Sequence, residues 1–216
     1  MSARHHIWFA SGNKHKKKEL ADILSADILS AELKTPGDAG LAFDPEETGS
    51  SFLENALIKA GSLWRLLEEK RPGGYSSGDP VIADDSGICV DALGGRPGIY
   101  SARYGDADGK SKLADSERNT LLLAELGDNP RRSARFVCAM VLFYGPDRFF
   151  VVQETMEGEL AANAEAARGT GGFGYDPILF IPELGRSVAE LSDEEKNSLS
   201  HRGKAARAIA RLLKTL

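Results

Sequence analysis

Cysteine is scarce in this sequence. Only Cys89 and Cys138 are present, far apart and in different apolar runs. No CxxC pair and no Cys/His ligand spacing occurs, which argues against a zinc site, and two isolated thiols make no disulfide framework. They read as buried free thiols in a reducing compartment. Long apolar runs are missing too. None approaches the ~20 residues that span a bilayer, and the apolar core of MSARHHIWFASGN is too short for a signal peptide. A cytoplasmic protein is expected. Positive charge is not in excess: 27 Lys and Arg stand against 32 Asp and Glu, a net charge of −5. A chain built to grip nucleic acid or an anionic membrane has the opposite balance, so neither is an expected partner. A local basic pocket for a small anion stays open. The 216 residues, 42% of them hydrophobic, suffice for one sizeable domain or for two lobes sharing a cleft.

Apolar periodicity predicts alternating strands and helices. Residues 7–10 form a short strand, Ser11-Gly12-Asn13 a turn, and a helix opening on lysines follows, with Leu20, Ile23 and Leu24 as its apolar stripe. The duplication ADILSADILS has a five-residue step that fits no repeat architecture and belongs to this helix and its exit. Residues 35–50 are loop-like. Ser51 with Glu54 suggests a capping box before a helix carrying Phe52, Ala56, Ala60, Leu63, Trp64 and Leu67. After a loop over 71–80, a short strand at 81–83 enters a turn, Asp84-Asp85-Ser86-Gly87, and 88–93 continue extended. GGRPG is a turn, and a polar helix runs from about Lys112 to Leu126. Residues 135–144 and 148–155, joined by Gly145-Pro146-Asp147, predict an antiparallel hairpin. A Gly-rich loop spans 169–177, with a strand over 178–181 behind it. Ser192 with Glu195 marks a second capping box, opening a helix that runs through Arg202 to the end. The hairpin rules out a regular parallel sheet, so the expected fold is a mixed-sheet α/β structure with a central active-site cleft.

Four groups of residues carry chemistry. Ser11, Gly12, Asn13, Lys14, His15 and Lys16 lie where a strand passes through a turn into a helix, whose free N–H groups and positive dipole end suit phosphate. Lysines 14, 16, 17 and 18 oppose that dipole, which a bound polyphosphate would offset; a solvated basic helix start is the plain alternative. Glu46, Glu47, Glu54, Asp84 and Asp85 form an acidic set. Two adjacent aspartates in a turn repel, and a hard cation with oxygen ligands would relieve them; an Asx turn or cap is the alternative. In Gly171-Gly172-Phe173-Gly174-Tyr175-Asp176-Pro177 the glycines let backbone approach a ligand, Phe173 offers a stacking face, and Asp176 offers an acceptor for a ring N–H. Lys196, His201 and Arg202 can donate to a carbonyl or a phosphate, or simply line a basic surface helix.

In this order, SGNKHKKKEL, EETGSSFLENALIKA, ADDSGICVDALGGRPGIYSARYG, GTGGFGYDPILF and ELSDEEKNSLSHRGKA resemble the motifs of the inosine triphosphate pyrophosphatase family. The likeness runs from Phe9 to Ala206, and ADDSG with GGRPGIYSARY is its most specific part. It departs from the family in a long loop before ADDSG and in Ser51, where a Thr is common.

The resemblance implies an elongated two-lobed fold with the whole chain, 1–216, as one catalytic domain, usually a homodimer. It implies hydrolysis of ITP, dITP or XTP to the monophosphate and pyrophosphate with Mg²⁺. Ser11 to Lys16 would hold the triphosphate. Glu47, or less favourably Glu46, and Asp85 would bind Mg²⁺, and Asp85 would activate water. Ser86 would contact substrate, Phe173, Gly174, Tyr175 and Asp176 would take the base, and Lys196, His201 and Arg202 would read its carbonyl edge. Hypoxanthine and xanthine pair a 6-carbonyl with an N1–H, the reverse of adenine. An Arg202 donor and an Asp176 acceptor left unpaired by adenine would cost ~1–3 kcal/mol each. Two rivals stand beside this: a pyrophosphatase for altered pyrimidine nucleotides, and a nucleotide sensor without turnover.

Overall fold

The structure is a computed structural model that describes residues 6–27, 32–106 and 113–215. Among the described residues, seven strands form one mixed sheet in the order β2-β1-β3-β4-β5-β6-β7, so the mixed-sheet α/β expectation holds. The chain divides into two compact units, Met1–Asp85 with Cys138–Glu154 and His201–Leu216, and Ser86–Val137 with Thr155–Ser200.

In the first unit, β1 (His6–Phe9) runs parallel to β2 (Glu32–Lys34) and to the start of β3 (Val81–Val90). Both faces of β1 are covered, which is why it reads as a continuous apolar run rather than an alternation. Ile7 and Phe9 on one face, with Ile82, pack on Leu20, Ile23 and Leu24 of α1 (Lys14–Asp27) and on Ala205, Ala206, Ile209 and Ala210 of α5 (His201–Leu213). Trp8 and Ala10 on the other, with Val81 and Ala83, pack on Ala56, Ala60, Leu63 and Leu67 of α2 (Phe52–Lys70). Those four recur at helical spacing, so one stripe of α2 faces the sheet. Leu63 is fully buried, and truncating it to Ala would cost roughly 2–5 kcal/mol.

The second unit has its own core. Ile88 and Val90 of β3 meet Leu122, Leu123 and Leu126 of α3 (Asp115–Leu126), Phe136 of β4 (Ser133–Phe143), Met156 and Leu160 of β5 (Phe149–Leu160), and Ile178, Leu179 and Ile181. β5 pairs antiparallel with β6 (Leu179–Ile181), and β6 with β7 (Arg186–Ser187).

Four sequence expectations are corrected. Residues 84–87 are not a turn; they continue β3, buried almost throughout, and the strand ends at Val90 in a 3-10 turn over Asp91–Leu93. The last helix is two: α4 (Asp193–Leu199) and α5 are broken at Ser200, whose ψ of 156° is extended. At α2, Ser51 Oγ accepts from the Glu54 N–H, but the Glu54 carboxylate turns to the N–H and hydroxyl of Ser50, so only half of the predicted box forms. The Ser192–Glu195 box forms in full. Loop 35–50 contains a 3-10 turn, Pro36–Ala39. Residues 28–30 of the duplication and Lys112 lie outside the described residues.

Candidate active site

Asp84 and Asp85 are neighbours on a strand, so their side chains leave opposite faces of the sheet. Asp84 shares the face of Ile82, Asp85 that of Val81 and Ala83. This alternation, and not a turn, separates the two charges, and each meets its own cations.

Asp84 is 1% exposed. Lys16 Nζ approaches its two oxygens at 3.2 and 3.0 Å, and Arg202 donates from Nε at 3.2 Å and Nη2 at 3.3 Å. Arg202 Nη1 reaches Glu19 at 2.6 Å. Burial raises the Asp84 pKa, but Lys16, Arg202 and Lys59 outweigh it and hold the carboxyl well below its usual range. Burial works against the Arg202 charge in turn, and Asp84 and Glu19 more than restore it. Two acids face two cations, so this group is neutral. The Cys138 thiol, 3.9 Å from Asp84, is pushed up to about 12 by burial and by that carboxylate.

Asp85 meets a different set. Lys59 Nζ lies 2.9 Å from its Oδ1 and 3.3 Å from Glu47 Oε1, so both carboxylates converge on one ammonium. Asn55, fully buried, donates to Asp85 at 3.3 Å and accepts the Gly49 N–H at 2.9 Å, pinning the loop that carries Glu47. Burial pushes the Asp85 carboxyl above its ordinary value; Lys59 and Lys16 pull it back without cancelling the shift, and Glu47 adds to it. The Lys59 ammonium loses to burial but gains more from Asp85, Asp84 and Glu47, so it stays charged. Two carboxylates and one ammonium leave a net charge of −1 here. Glu47 points into the group, whereas Glu46 is exposed. Glu54 caps its own helix outside it.

At the start of α1, Asn13 Oδ1 accepts the N–H groups of His15 and Lys16, and Ser11 Oγ accepts that of Asn13. The helix start is thus partly capped by its own side chains rather than left open as expected. Lys14 and His15 are exposed beside it. Lys17 and Lys18 are committed to Asp38 and Asp22, which leaves Lys16 as the lysine aimed at the strand.

The second unit brings Phe173, Asp176 and Lys196 together. Asp176 Oδ2 accepts the Phe173 N–H and Lys196 Nζ, each at 2.8 Å, and that ammonium sits 4.8 Å from the centre of the Phe173 ring. The loop closes around this carboxylate so tightly that a Cβ on Gly172, at φ +71°, would meet Asp176 Oδ2 at 2.0 Å. Only glycine fits. Tyr175 departs from expectation: its ring is in the core and its hydroxyl donates to the Ser101 carbonyl at 2.8 Å, so it offers a ligand only its backbone. Ser86 follows Asp85 on β3, and His201 is buried at the start of α5. Arg202, expected at a base carbonyl, holds Asp84 and Glu19.

Sequence reasoning missed Asn55 and Lys59. The signal was present: a polar pair four residues apart, beside Ala56 and Ala60 on the stripe that α2 buries.

The family model described as the Ham1 family matches residues 7–212. The chain belongs to the Ham1 family. It is similar to a dITP/XTP pyrophosphatase of Treponema denticola, 48% identical with 96% of this chain and 98% of that protein covered, and to one of Geobacillus kaustophilus, 44% identical with 92% and 89% covered. Among solved structures it is similar to a HAM1 protein from Coxiella burnetii, with a TM-score of 0.81, 34% identity, and 98% of this chain and 100% of that chain covered. The Staphylococcus aureus Ham1 protein gives a TM-score of 0.79 at 37% identity, covering 97% of this chain and 98% of that one.

Proposed function

We propose that this Ham1-family chain is a nucleoside triphosphate pyrophosphatase, one domain over its whole length, that cleaves ITP, dITP and XTP to the monophosphate and pyrophosphate. The observation that carries the proposal is the Asp85–Lys59–Glu47 group: a carboxylate of raised pKa, oriented by Asn55, in a cluster left with one negative charge. The relatives named dITP/XTP pyrophosphatase supply the substrate class.

Among the described residues no three His, Cys, Asp or Glu side chains come together as a metal cage. Mg²⁺ does not need one: it binds through one or two carboxylates plus substrate phosphates and water. Glu47 and Asp85 fit that donor set and already converge on a cation. Bound there, Mg²⁺ would neutralise phosphate charge and lower the pKa of water. Asp85 orients the attacking water and takes its proton; the oxygen bonds to the α-phosphorus as the bridge to the β-phosphate breaks, and pyrophosphate leaves with the electron pair. A raised pKa suits a proton acceptor working near neutrality. Lys16, Lys14 and the turn at 11–13 hold the departing phosphates, and positioning with electrostatics carries the rate.

Phe173 stacks the purine, and Asp176 and Lys196 meet its polar edge. Arg202, oriented by Asp84 and Glu19, donates to the 6-carbonyl. A homodimer in the cytoplasm completes the proposal; none of the described helices is long and apolar enough to cross a membrane. Pyrophosphate release over dITP, XTP, ITP, ATP and an altered pyrimidine triphosphate, with and without Mg²⁺, tests the function. The expected products are monophosphate and pyrophosphate from the first three. A diphosphate with orthophosphate would overturn the mechanism, and preference for the pyrimidine would overturn the substrate class. A mass measurement in solution tests the dimer.

A further inference from the structure

The loop proposed to hold the base is not gripped by side-chain packing alone. One helix holds both backbone polar groups of Gly174, its N–H and its carbonyl. The Gly174 N–H donates to Asp115 Oδ2 at 2.6 Å, and the Gly174 carbonyl accepts from Asn119 Nδ2 at 3.1 Å. Asp115 and Asn119 are four residues apart on α3, hence on one face. Between that face and the loop lies a pocket of about 310 Å³, lined by both residues and by 170–174. The loop is also tied at Gly171 to the Ala189 carbonyl and at Asp176 to Lys196, but on the side of this open space the two hydrogen bonds from α3 are what hold Gly174. Asn119 is 7% exposed, and the orientation that serves Gly174 leaves its Oδ1 buried without a partner. Turning the amide over would set two carbonyl oxygens against each other. Arg118 fixes the other end of the clamp, ion-pairing with Asp115 and donating to the Ala102 and Leu113 carbonyls at 3.2 and 2.7 Å.

We infer that Asp115 and Asn119 are positioning residues for base recognition. They act through Gly174. They set the height of Gly174, and with it the direction of Phe173 before it and Asp176 after it. This deepens the proposed function and rests on it. A misplaced loop weakens purine binding and blurs its discrimination, while the carboxylates and lysines of the first unit are untouched.

The test compares wild type with Asp115→Ala, Asp115→Asn and Asn119→Leu, using pyrophosphate release from dITP and dATP and amide hydrogen exchange in the peptide covering 169–178. Asp115→Ala and Asn119→Leu should raise KM for dITP about tenfold with kcat within about twofold, and lower the dITP/dATP preference several-fold. Exchange should quicken in that peptide and not elsewhere. Asp115→Asn keeps a carbonyl acceptor for the Gly174 N–H and should restore most of the lost affinity, which a general loss of stability would not. Folded Ala and Leu variants with wild-type KM, preference and exchange would overturn the inference, as would kcat falling with KM while Asp115→Asn fails equally. Should wild type release no pyrophosphate from either nucleotide, the proposed function fails, and the exchange arm alone still decides the clamp.

Discussion

Lys59→Met is the most searching perturbation of the acidic group. Methionine is unbranched and helix-compatible, so α2 and its packing are kept while one charge is removed. In wild type the ammonium lies 2.9 Å from Asp85 and 3.3 Å from Glu47. Its loss leaves two carboxylates facing each other, one of them 7% exposed. Removing one partner of a buried ion pair costs about 3–5 kcal/mol, and one pKa unit corresponds to about 1.4 kcal/mol. Glu47 is more open and Lys16 still acts on Asp85, so we take about half of that range, ~2 kcal/mol, as the penalty on the ionised carboxylate. The sign is unambiguous: burial already holds the Asp85 carboxyl above its ordinary value, and Lys59 is the largest influence pulling it down. Only the ionised carboxylate accepts a proton or holds Mg²⁺, so the acid limb of the kcat/KM profile must move to higher pH. Above the limb, two unneutralised carboxylates should also reach half-activity at a lower Mg²⁺ concentration than wild type. Profiles for dITP at saturating Mg²⁺, with Mg²⁺ titrations above the limb, measure both. A uniform loss at every pH would mean that Lys59 only binds phosphate. An acid limb that stayed in place or moved down would refute the reasoning.

Asp85→Asn keeps the shape and removes the charge; kcat should fall at least about a hundredfold, and a folded variant with near-wild-type turnover in the pyrophosphate assay would remove Asp85 from the catalytic role. EDTA should abolish turnover and Mg²⁺ restore it, whereas full activity in chelator would sink the metal reading. Arg202→Ala should lower kcat/KM for ATP through the loss of its grip on Asp84, and for ITP more, reducing the ITP/ATP ratio by about ten- to a hundredfold; equal losses for both would confine Arg202 to holding Asp84. Because the folded Asp84 pKa lies below its unfolded value, its ion pairs contribute stability that is present above about pH 4 and fades as the pH falls towards the folded value. The difference in urea midpoint between wild type and Asp84→Asn should therefore narrow between about pH 4 and pH 2, and a constant gap would contradict the pairing.

Local chemistry in the sequence determined much of this protein. A continuous apolar run placed β1, and apolar patterning placed α1, α2 and the β4–β5 hairpin, because the pattern reports which faces are buried. The Ser192–Glu195 box was readable because capping involves residues only three apart. The glycines around Phe173 read as room for a ligand to approach the backbone; at Gly172 the room is taken by the loop's own Asp176 carboxylate, which only the structure shows. Tertiary structure decided what depends on partners distant in sequence. Asp84-Asp85 read as a turn whose repelling carboxylates called for a cation; only the fold brings Lys16 and Arg202 to one face of β3 and Lys59 to the other, and so makes a buried strand possible. The resemblance set Tyr175 among the residues that take the base, yet Ser101, 74 residues away, supplies the acceptor that lets its ring be buried. Arg202 sits on Glu19 across 183 residues. Helices and caps answer to neighbours along the chain, whereas the protonation and direction of a buried charge answer to whichever opposite charge the fold sets within a few ångströms.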